Sequence, residues 1–368
     1  MRYFDQFGTR HVPREKTKLT PQLPGYFLVT LLSAYLTYIF IPVVKAQCVK
    51  RGLLDFPGPR KIHSLPIPRL GGVAFVISFS LAILLGFVAD PGLWQNNWVG
   101  IAGVIGGGIV VFLLGLADDI KGVGPVLKFF WQIVAALFPV SCGVRLDTLN
   151  LPFHGLVHLG FWAIPLSVLW IVAIINAFNL LDGLDGLAAG MATISSLTFV
   201  VLSVVLNLPL ASLFAAGILG VSAAFLRFNY HPAQIFMGDS GSLFIGYILG
   251  VTSLYWPKSY ASLVMFVPLL ALGVPLLETA TTAVRRIVTG QRIYVADRRH
   301  LFHYLLEIGF SHRGVVWLFY VISLQFSVMA VGFVVGRVNI ILVLEAILAI
   351  FIGIALSRKI RSGGVNGR

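Results

Sequence analysis

The sequence predicts an all-α, polytopic integral membrane protein, because its apolar residues form long blocks and its charged residues are few. Of the 368 residues, 58% are hydrophobic and 11% are charged, and the mean hydropathy is +0.91. A soluble domain carries about 25% charged residues. Backbone polar groups cannot stay unpaired in lipid, so each apolar block of about 20 residues is expected to be a helix.

Hydropathy windows of about 19 residues predict about 11 transmembrane helices. They are expected near 25–45, 71–89, 98–117, 125–143, 160–177, 187–206, 208–226, 240–257, 260–280, 313–335 and 337–357. The expected organisation is a basic N-terminal segment at 1–24, a single transmembrane domain at 25–357 and a basic tail at 358–368. Residues 1–24 are polar and basic, which is unlike a secretory signal peptide.

The charge distribution indicates both orientation and function. The formal net charge is +13, which in a soluble protein would suggest nucleic-acid binding, whereas in a membrane protein Lys and Arg mark the cytosolic side. Most Lys and Arg residues fall on one predicted face, although the basic N-terminal segment falls on the other, so its orientation stays open. The same face holds the aspartates Asp118, Asp119, Asp182, Asp185, Asp239 and Asp297. The two cysteines predict neither a disulfide framework nor a zinc site.

The first acidic motif closes the third predicted span with the adjacent residues Asp118 and Asp119. Carboxylates at the edge of lipid are costly and repel each other, and a divalent cation relieves both problems. Oxygen ligands suit Mg²⁺, which keeps waters and substrate phosphates in its coordination shell. The alternative is a solvated loop end.

The second motif ends the fifth predicted span and carries polar side chains at three-residue spacing. They are Asn176, Asn179, Asp182 and Asp185. On a helix end they would form one polar stripe, and the glycines beside the aspartates would allow a ligand to approach the backbone. A polar helix–helix contact or an Asx turn is the alternative.

The third motif, Phe236-Met-Gly-Asp239-Ser-Gly-Ser242, opens the eighth predicted span. The free N–H groups of this helix start are expected to receive a phosphate, and Phe236 is placed to stack on a base. The alternative is that Asp239 only caps the helix.

Two further segments supply cations. The loop at 46–70 is rich in proline and includes Lys61 and His63. Its cations are expected either to contact substrate directly or only to provide the positive charge that flanks a span on the cytosolic side. A later segment contains Arg285, Arg286, Asp297, Arg298, Arg299, His300 and His303. Asp297 is a predicted helix N-cap, Gly309 a predicted helix stop, and His300 and His303 share a helix face, an arrangement that suits a pyrophosphate. An interfacial helix that binds lipid headgroups is the alternative.

All five segments fall on one predicted membrane face. Carboxylates for a metal together with cations for phosphates, at the lipid boundary, are what phosphoryl transfer to a lipid acceptor requires. A transporter would instead place its ionisable groups near mid-bilayer in repeated halves. A binding protein without turnover is the second rival, and the acid and glycine spacing of a CDP-alcohol phosphotransferase is not found.

The segment at 176–190, Asn-Ala-Phe-Asn-Leu-Leu-Asp-Gly-Leu-Asp-Gly-Leu-Ala-Ala-Gly, resembles the signature of the polyprenyl-phosphate N-acetylhexosamine-1-phosphate transferase superfamily. Blocks at 117–119, 128–132, 236–242 and 297–300 resemble the other motifs of that superfamily, in the same order. The resemblance implies a membrane fold of ten or eleven helices. It is closest to the bacterial undecaprenyl-phosphate GlcNAc-1-phosphate branch, which carries His-x-His-His, whereas this chain has Phe302 in place of the middle histidine. That departure leaves the sugar open.

The resemblance implies transfer of an N-acetylhexosamine 1-phosphate from a UDP-sugar to undecaprenyl phosphate with release of UMP. The cofactor would be Mg²⁺, with Mn²⁺ as a substitute, bound by Asp239, Asp118 and Asp119. The catalytic residues would be Asp118, Asp119, Asp182, Asp185, Asp239, His300 and His303. The substrate-binding residues would be Lys61, His63, Lys128, Asn176, Asn179, Asn229, Phe236, Arg286 and Arg299.

The expected partners are the UDP-N-acetylhexosamine, the undecaprenyl phosphate and the lipid bilayer, with no nucleic acid. The expected location is the cytoplasmic membrane, with the active site facing the cytosol. A homodimer packed through glycines such as those at 106–108 is left open. Direct attack by the lipid phosphate and a two-step route through an aspartyl intermediate are both compatible with the sequence.

Overall fold

The protein is an all-α polytopic membrane protein, as predicted. The computed structural model describes residues 23–57, 65–151, 155–256, 269, 271–288 and 301–336. Its helices are α1 Leu23–Arg51, α2 Gly71–Ala89, α3 Pro91–Gln95, α4 Trp98–Lys121, α5 Pro125–Ser141, α6 Ala163–Leu181, α7 Leu187–Val205, α8 Pro209–Asn229, α9 Asp239–Thr252, α10 Gly273–Val288, α11 Leu301–Glu307 and α12 His312–Val335. Two short antiparallel pairs join them, β1 Leu54–Asp55 with β2 Ile67–Pro68 and β3 Thr148–Leu151 with β4 Gly155–His158.

Within the described residues, seven helices are long and apolar enough to cross a membrane: α1, α2, α4, α6, α7, α8 and α12. They match seven of the predicted spans. Helices α5 and α9 match two more, but they contain 17 and 14 residues, fewer than the roughly 20 that a straight span needs. Helix α10 extends beyond the predicted end of the 260–280 span. Residues 260–268 and 270 of that span, the 337–357 span and the basic termini at 1–22 and 358–368 lie outside the described residues.

The short helix α9 is the centre of the bundle. All of its residues from Ser240 to Thr252 are buried, and it packs against α2, α4 and α6. Glycine allows this close approach: a Cβ atom added to Gly246 would lie 2.6 Å from the Cα atom of Ile175. Helix α9 therefore crosses the core of the protein without facing lipid along its length.

The start of α2 is joined to the segment that leads into α9. The N–H groups of Gly71 and Gly72 donate to the carbonyls of Phe236 and Met237, at 3.0 and 2.8 Å. In return, the N–H of Phe236 donates to the carbonyl of Pro68 at 2.8 Å. The first N–H groups of a helix have no partner within that helix, so this pairing satisfies them and holds the α9 segment in place.

The helix ends that carry the predicted site residues meet at one end of the bundle. Helices α4 and α6 end there, while α5, α9 and α12 begin there, as shown by side-chain contacts between residues 111 to 134 positions apart in the chain. The gathering of Asp118, Asp119, Asp182, Asp185 and Asp239 at one end is thus confirmed for the described residues.

The contact between α4 and the start of α9 yields a stability prediction. A Cβ atom added to Gly115 of α4 would lie 2.5 Å from the carbonyl oxygen of Asp239 and from the amide nitrogen of Ser240. Because both are backbone atoms, Gly115→Ala is expected to cost about 1–3 kcal/mol of unfolding free energy through overpacking. The readout is the thermal unfolding midpoint in detergent.

The control is Gly108→Ala on the same helix. An added Cβ atom there would meet the rings of Phe244 and Tyr247 at 3.6 Å, an ordinary contact. It is expected to be neutral or stabilising, since alanine is the better helix former. Equal unfolding midpoints for the two variants would contradict the packing described here.

Candidate active site

A cavity of about 830 Å³ opens at this end of the bundle. Its wall combines the loop before α2, the end of α4, the turn between α6 and α7, the segment before α9, and the starts of α11 and α12. The predicted site residues that line it are Asp119, Asp182, Asp185, Phe236, Asp239 and His303. Two cations that the sequence did not single out as site residues, Lys45 and Arg69, also line it.

Asp119 binds the start of α9. Its Oδ1 accepts the N–H of Asp239 at 2.9 Å, its Oδ2 accepts the N–H of Ser240 at 3.0 Å, and the residue is 5% exposed. These N–H groups are therefore not free to receive a phosphate, contrary to the expectation from the sequence. Asp239 does not cap the helix either: Gly238 occupies the N-cap position with φ 71°, where a side chain would overlap the Asp119 carboxylate.

Lys128 bridges the carboxylates of Asp118 and Asp239. Its ammonium group lies 3.2 Å from Oδ2 of Asp118 and hydrogen-bonds to Oδ2 of Asp239. The amide of Asn179 donates to Oδ1 of Asp239 at 3.0 Å, and the N–H of Val123 donates to Oδ1 of Asp118 at 2.8 Å. The side chains of Lys128, Asp118 and Asp239 each remain between 16% and 20% exposed.

Asp182 lies just beyond α6, which ends at Leu181. The predicted single polar stripe over 176–185 is therefore wrong, because the chain turns at Asp182 and Asp185 belongs to the turn that leads to α7. Desolvation raises the pKa of the Asp182 carboxyl well above its usual range, and the carboxylates of Asp239 and Asp119 raise it further. The neighbouring carboxylates thus disfavour a further negative charge in the cavity.

Two of the predicted substrate-binding residues make internal contacts. The amide of Asn176 donates to Oε1 of Gln132 on α5 at 2.7 Å, which is the polar helix–helix contact that the sequence left open. Asn229 is 3% exposed; it accepts the N–H of Gly186 and donates to the carbonyl of Ile235, both at 3.0 Å. These contacts favour positioning roles for both asparagines.

Asp185 lies in a cluster with two single histidines, His231 and His312, that were not among the predicted site residues. Its Oδ2 lies 2.8 Å from Nδ1 of His231 and accepts the N–H of Ala233 at 3.1 Å. The ring of His231 stacks on that of His312, with centroids 4.1 Å apart. The signal in the sequence was weak, because each histidine stands alone beside a loop.

Phe302 packs against the turn between the two aspartates of the second motif. It is 1% exposed, and a Cβ atom added to Gly183 would lie 2.7 Å from its ring. The neighbouring His303 lines the cavity. Helix α11 therefore directs position 302 into the protein and position 303 toward the ligand space. It ends at Glu307, two residues before Gly309, whose φ of 93° agrees with the predicted stop.

Several predicted residues lie outside the described part of the chain. They are Lys61, His63, Asp297, Arg298, Arg299 and His300. Arg285 and Arg286 belong to α10, but their side chains are also outside it. Their proposed roles stay predictions.

The donors at the cavity fit Mg²⁺. Asp239 lines the cavity, and Asp118 shares Lys128 with it, so both offer carboxylate oxygens close together. Mg²⁺ is commonly bound by one or two carboxylates plus substrate phosphates. The side chain of Asp119 is only 2% exposed and accepts two N–H groups of α9, whereas Asp118 and Asp239 remain accessible, so Asp119 fits the role of orienting Asp239 better than that of a ligand. Desolvation first, and the carboxylates of Asp239 and Asp119 second, raise the pKa of Asp182, and a divalent cation would offset the negative charge of these carboxylates.

The sequence has clear relatives. The profile of glycosyl transferase family 4 matches residues 101–257. The probable undecaprenyl-phosphate N-acetylglucosaminyl 1-phosphate transferase of Bacillus subtilis is 38% identical over 336 residues, which cover 89% of each chain. The decaprenyl-phosphate N-acetylglucosaminephosphotransferase of Mycolicibacterium smegmatis is 36% identical, covering 80% of this chain and 78% of the relative. A phospho-N-acetylmuramoyl-pentapeptide-transferase of Desulforudis audaxviator is 29% identical, covering 83% and 95%.

The Asp119 contact predicts a stability effect that is separable from chemistry. Asp119→Asn replaces one of the two acceptor oxygens by an amide that cannot accept, so it is expected to cost about 1.5–3 kcal/mol, the value of a hydrogen bond to a charged group. The matched control is Asp147→Asn, which breaks a half-exposed pair with Arg145 and is expected to cost about 1 kcal/mol or less. An unchanged unfolding midpoint for Asp119→Asn, with lost activity, would instead assign Asp119 to the chemistry.

Phe302 generates a second prediction. Phe302→His buries a polar ring against Gly183 and is expected to cost about 1–3 kcal/mol of unfolding free energy. Phe302→Leu, which stays apolar, serves as the comparison and should cost less. Thermal unfolding in detergent measures both. A more stable Phe302→His protein would show that a histidine partner exists near the turn and that the packing described here is incomplete.

Proposed function

This chain belongs to glycosyl transferase family 4, and from that membership we propose that it transfers an N-acetylhexosamine 1-phosphate from a UDP-sugar to undecaprenyl phosphate, with release of UMP. Transfer of a hexosamine 1-phosphate to a polyprenyl phosphate is the activity of its relatives. The supporting observation in this chain is that Asp118, Lys128 and Asp239 form one connected group beside a cavity large enough for a nucleotide sugar. The proposal adds to this activity that the donor carries UDP, that its sugar is N-acetylated and that the lipid acceptor is undecaprenyl phosphate.

The donor fits the polar cavity. Lys45 and Arg69 supply positive charge to its wall, and His303 lies on the same wall. Phe236 offers an aromatic ring for the base. A pyrophosphate would lie between these cations and the carboxylates of Asp239 and Asp182.

The acceptor fits the opposite side of Asp239. Lys128 is flanked along α5 by exposed apolar side chains, with Leu127 53%, Phe129 49% and Phe130 54% exposed. An isoprenoid tail could lie against this surface in the bilayer while its phosphate reaches Lys128 and Asp118. The two substrates would then approach Asp239 from different sides.

In the proposed reaction an oxygen of the polyprenyl phosphate attacks the β-phosphorus of the donor in line, and the bond to UMP breaks. Asp118 orients the attacking phosphate and takes its proton, while Lys128 offsets the charge on the transferred group. Asp239 and Asp118 would hold Mg²⁺, which supplies charge neutralisation to the phosphate oxygens. Asp119 and Asn179 fix Asp239 in place through the contacts described above.

The proposed location is the cytoplasmic membrane, with the site facing the cytosol. Among the described residues, Lys45, Lys50, Arg51, Lys121 and Arg227 lie near the helix ends that surround the cavity. Lys and Arg are enriched on the cytosolic side of membrane proteins, which is also where nucleotide sugars are found.

The activity test uses purified full-length protein in detergent with undecaprenyl phosphate and a panel of UDP-N-acetylamino sugars. One sugar is expected to give UMP and a lipid-linked product, and EDTA should stop the reaction until Mg²⁺ is restored. Asp239→Asn is expected to lower kcat by about 10²–10³, the effect of removing one preorganised electrostatic group. The control variant is Asp147→Asn, which lies on a different loop and should keep full activity.

Three outcomes would contradict the proposal. Near-full turnover by Asp239→Asn would remove Asp239 from the metal site. Substrate flux in proteoliposomes without UMP release would indicate a transporter, and UDP-sugar binding without turnover would indicate a binding protein. UMP released from the UDP-sugar before any lipid is added would favour the two-step route over direct attack.

A further inference from the structure

The wall of the cavity holds a second group of metal-ligand side chains, separate from the Asp118–Lys128–Asp239 group. Asp185, His231 and His312 each offer one ligand atom, and these atoms lie within 4.8 Å of one another. Within the described residues, no other three His, Cys, Asp or Glu side chains meet this criterion. All three residues line the cavity.

His312 is the least satisfied member of this group. Both of its ring nitrogens are inaccessible to solvent, and neither forms a hydrogen bond of normal geometry within the described residues. A buried polar group without a partner costs about 1–3 kcal/mol. His231 stacks on it instead of donating to it, with ring planes inclined by 17°, so the stacking does not satisfy these nitrogens.

The surrounding contacts hold the other two ligands in place. The N–H of Ala233 donates to Oδ2 of Asp185 at 3.1 Å, and Arg313 donates to the carbonyl of His231 at 3.1 Å. The first bond orients the carboxylate itself, as is typical of metal ligands, and the second fixes the backbone that carries the His231 ring. The three residues come from the α6–α7 turn, the segment before α9 and the start of α12, so they join parts of the chain that are far apart in sequence.

We propose that Asp185, His231 and His312 bind one transition-metal dication, such as Zn²⁺ or Mn²⁺. Two imidazoles and one carboxylate suit these ions, whereas Mg²⁺ and Ca²⁺ prefer oxygen ligands alone. Bond lengths of about 2.0–2.1 Å place tetrahedral ligand atoms on the order of 3.3 Å apart, so ligand atoms that lie within 4.8 Å of one another need to approach by no more than about 1.5 Å, together with a rotation of the stacked imidazole rings that turns a nitrogen of each toward the ion. Three protein ligands leave a position open toward the cavity.

The ion would fasten the turn that carries Asp182 to the start of α12. That turn already has one contact with α12, because Tyr320 of this helix donates to the carbonyl of Gly186 at 2.6 Å. The site therefore acts as a positioning element for the cavity wall. It does not depend on the transfer reaction, because it is defined by ligand geometry alone.

The experiment uses full-length protein in detergent, freed of any affinity tag and of metal. Equilibrium dialysis with Zn²⁺ in the presence of millimolar Mg²⁺, followed by elemental analysis, is expected to give about one ion per chain. Co²⁺ should give the visible absorption of a nitrogen-containing, low-coordinate site, and Zn²⁺ should raise the thermal unfolding midpoint.

Variants decide where the ion binds. His312→Gln and His231→Gln are expected to weaken Zn²⁺ binding at least about tenfold and to abolish the Zn²⁺-dependent rise in the unfolding midpoint. His158→Gln is the matched control, because His158 is exposed in the β3–β4 hairpin, and it should bind normally. Asp239→Asn should also bind normally, which separates this site from the proposed Mg²⁺ site.

Three results would overturn the proposal. They are no Zn²⁺ or Co²⁺ bound by the parent protein, binding that survives in folded His231→Gln and His312→Gln proteins, and binding lost in Asp239→Asn. Circular dichroism and the unfolding midpoint without metal confirm that each variant is folded. Failure of the transfer assay would leave these binding results unaffected.

Discussion

The contact between the Asp119 carboxylate and the start of α9 is the constraint on which the rest of the site depends. Helix α9 is buried along its length, so its first N–H groups need an acceptor from the protein. Asp119 supplies two oxygens, and Gly115 and Gly238 leave the space that this close approach requires. The two adjacent acids therefore have different contacts. Asp119 accepts hydrogen bonds from the start of α9, whereas Asp118 is bound to Lys128 beside Asp239.

This arrangement concentrates negative charge at the end of an apolar bundle. Desolvation raises the pKa of the Asp182 carboxyl well above its usual range, and the neighbouring carboxylates of Asp239 and Asp119 raise it further. Stability alone gives no reason to gather these groups, because buried carboxylates are costly unless they are paired. Ionisable groups at membrane depth generally mark a functional pathway. Lys128 offsets part of the charge, and a cation that arrives with phosphate ligands would offset more.

The fold was largely predictable, because hydropathy reports directly on the burial of helices in lipid. The seven long spans follow from apolar runs. The shortness of α9 could not be predicted from its apolar run, because burial inside the protein and burial in lipid produce the same apolar sequence. Helix α6 also ended earlier than its polar spacing suggested, since Asp182 and the glycines beyond it favour a turn over another helical turn.

Among the described residues, the gathering of the aspartates at one end of the bundle was predictable, but the contacts of the individual residues were not. A motif shows that Asn229 and Asn176 are polar in an apolar setting, and that fits a ligand contact and an internal hydrogen bond equally well. Only the structure shows that Asn229 bridges Gly186 and Ile235. His231 and His312 were missed for a related reason, because residues about 80 positions apart give no local pattern.

The inward position of Phe302 in the structure changes how its departure from the histidine motif is interpreted. As a departure from His-x-His-His, Phe302 left the identity of the sugar open. In the structure, position 302 faces Gly183 inside the protein, while His303 faces the cavity. A substitution at an inward position alters packing against the turn that carries Asp182, and it leaves the charge of the cavity unchanged. The departure therefore does not weaken the assignment to this family, and its expected effect is on the packing of that turn.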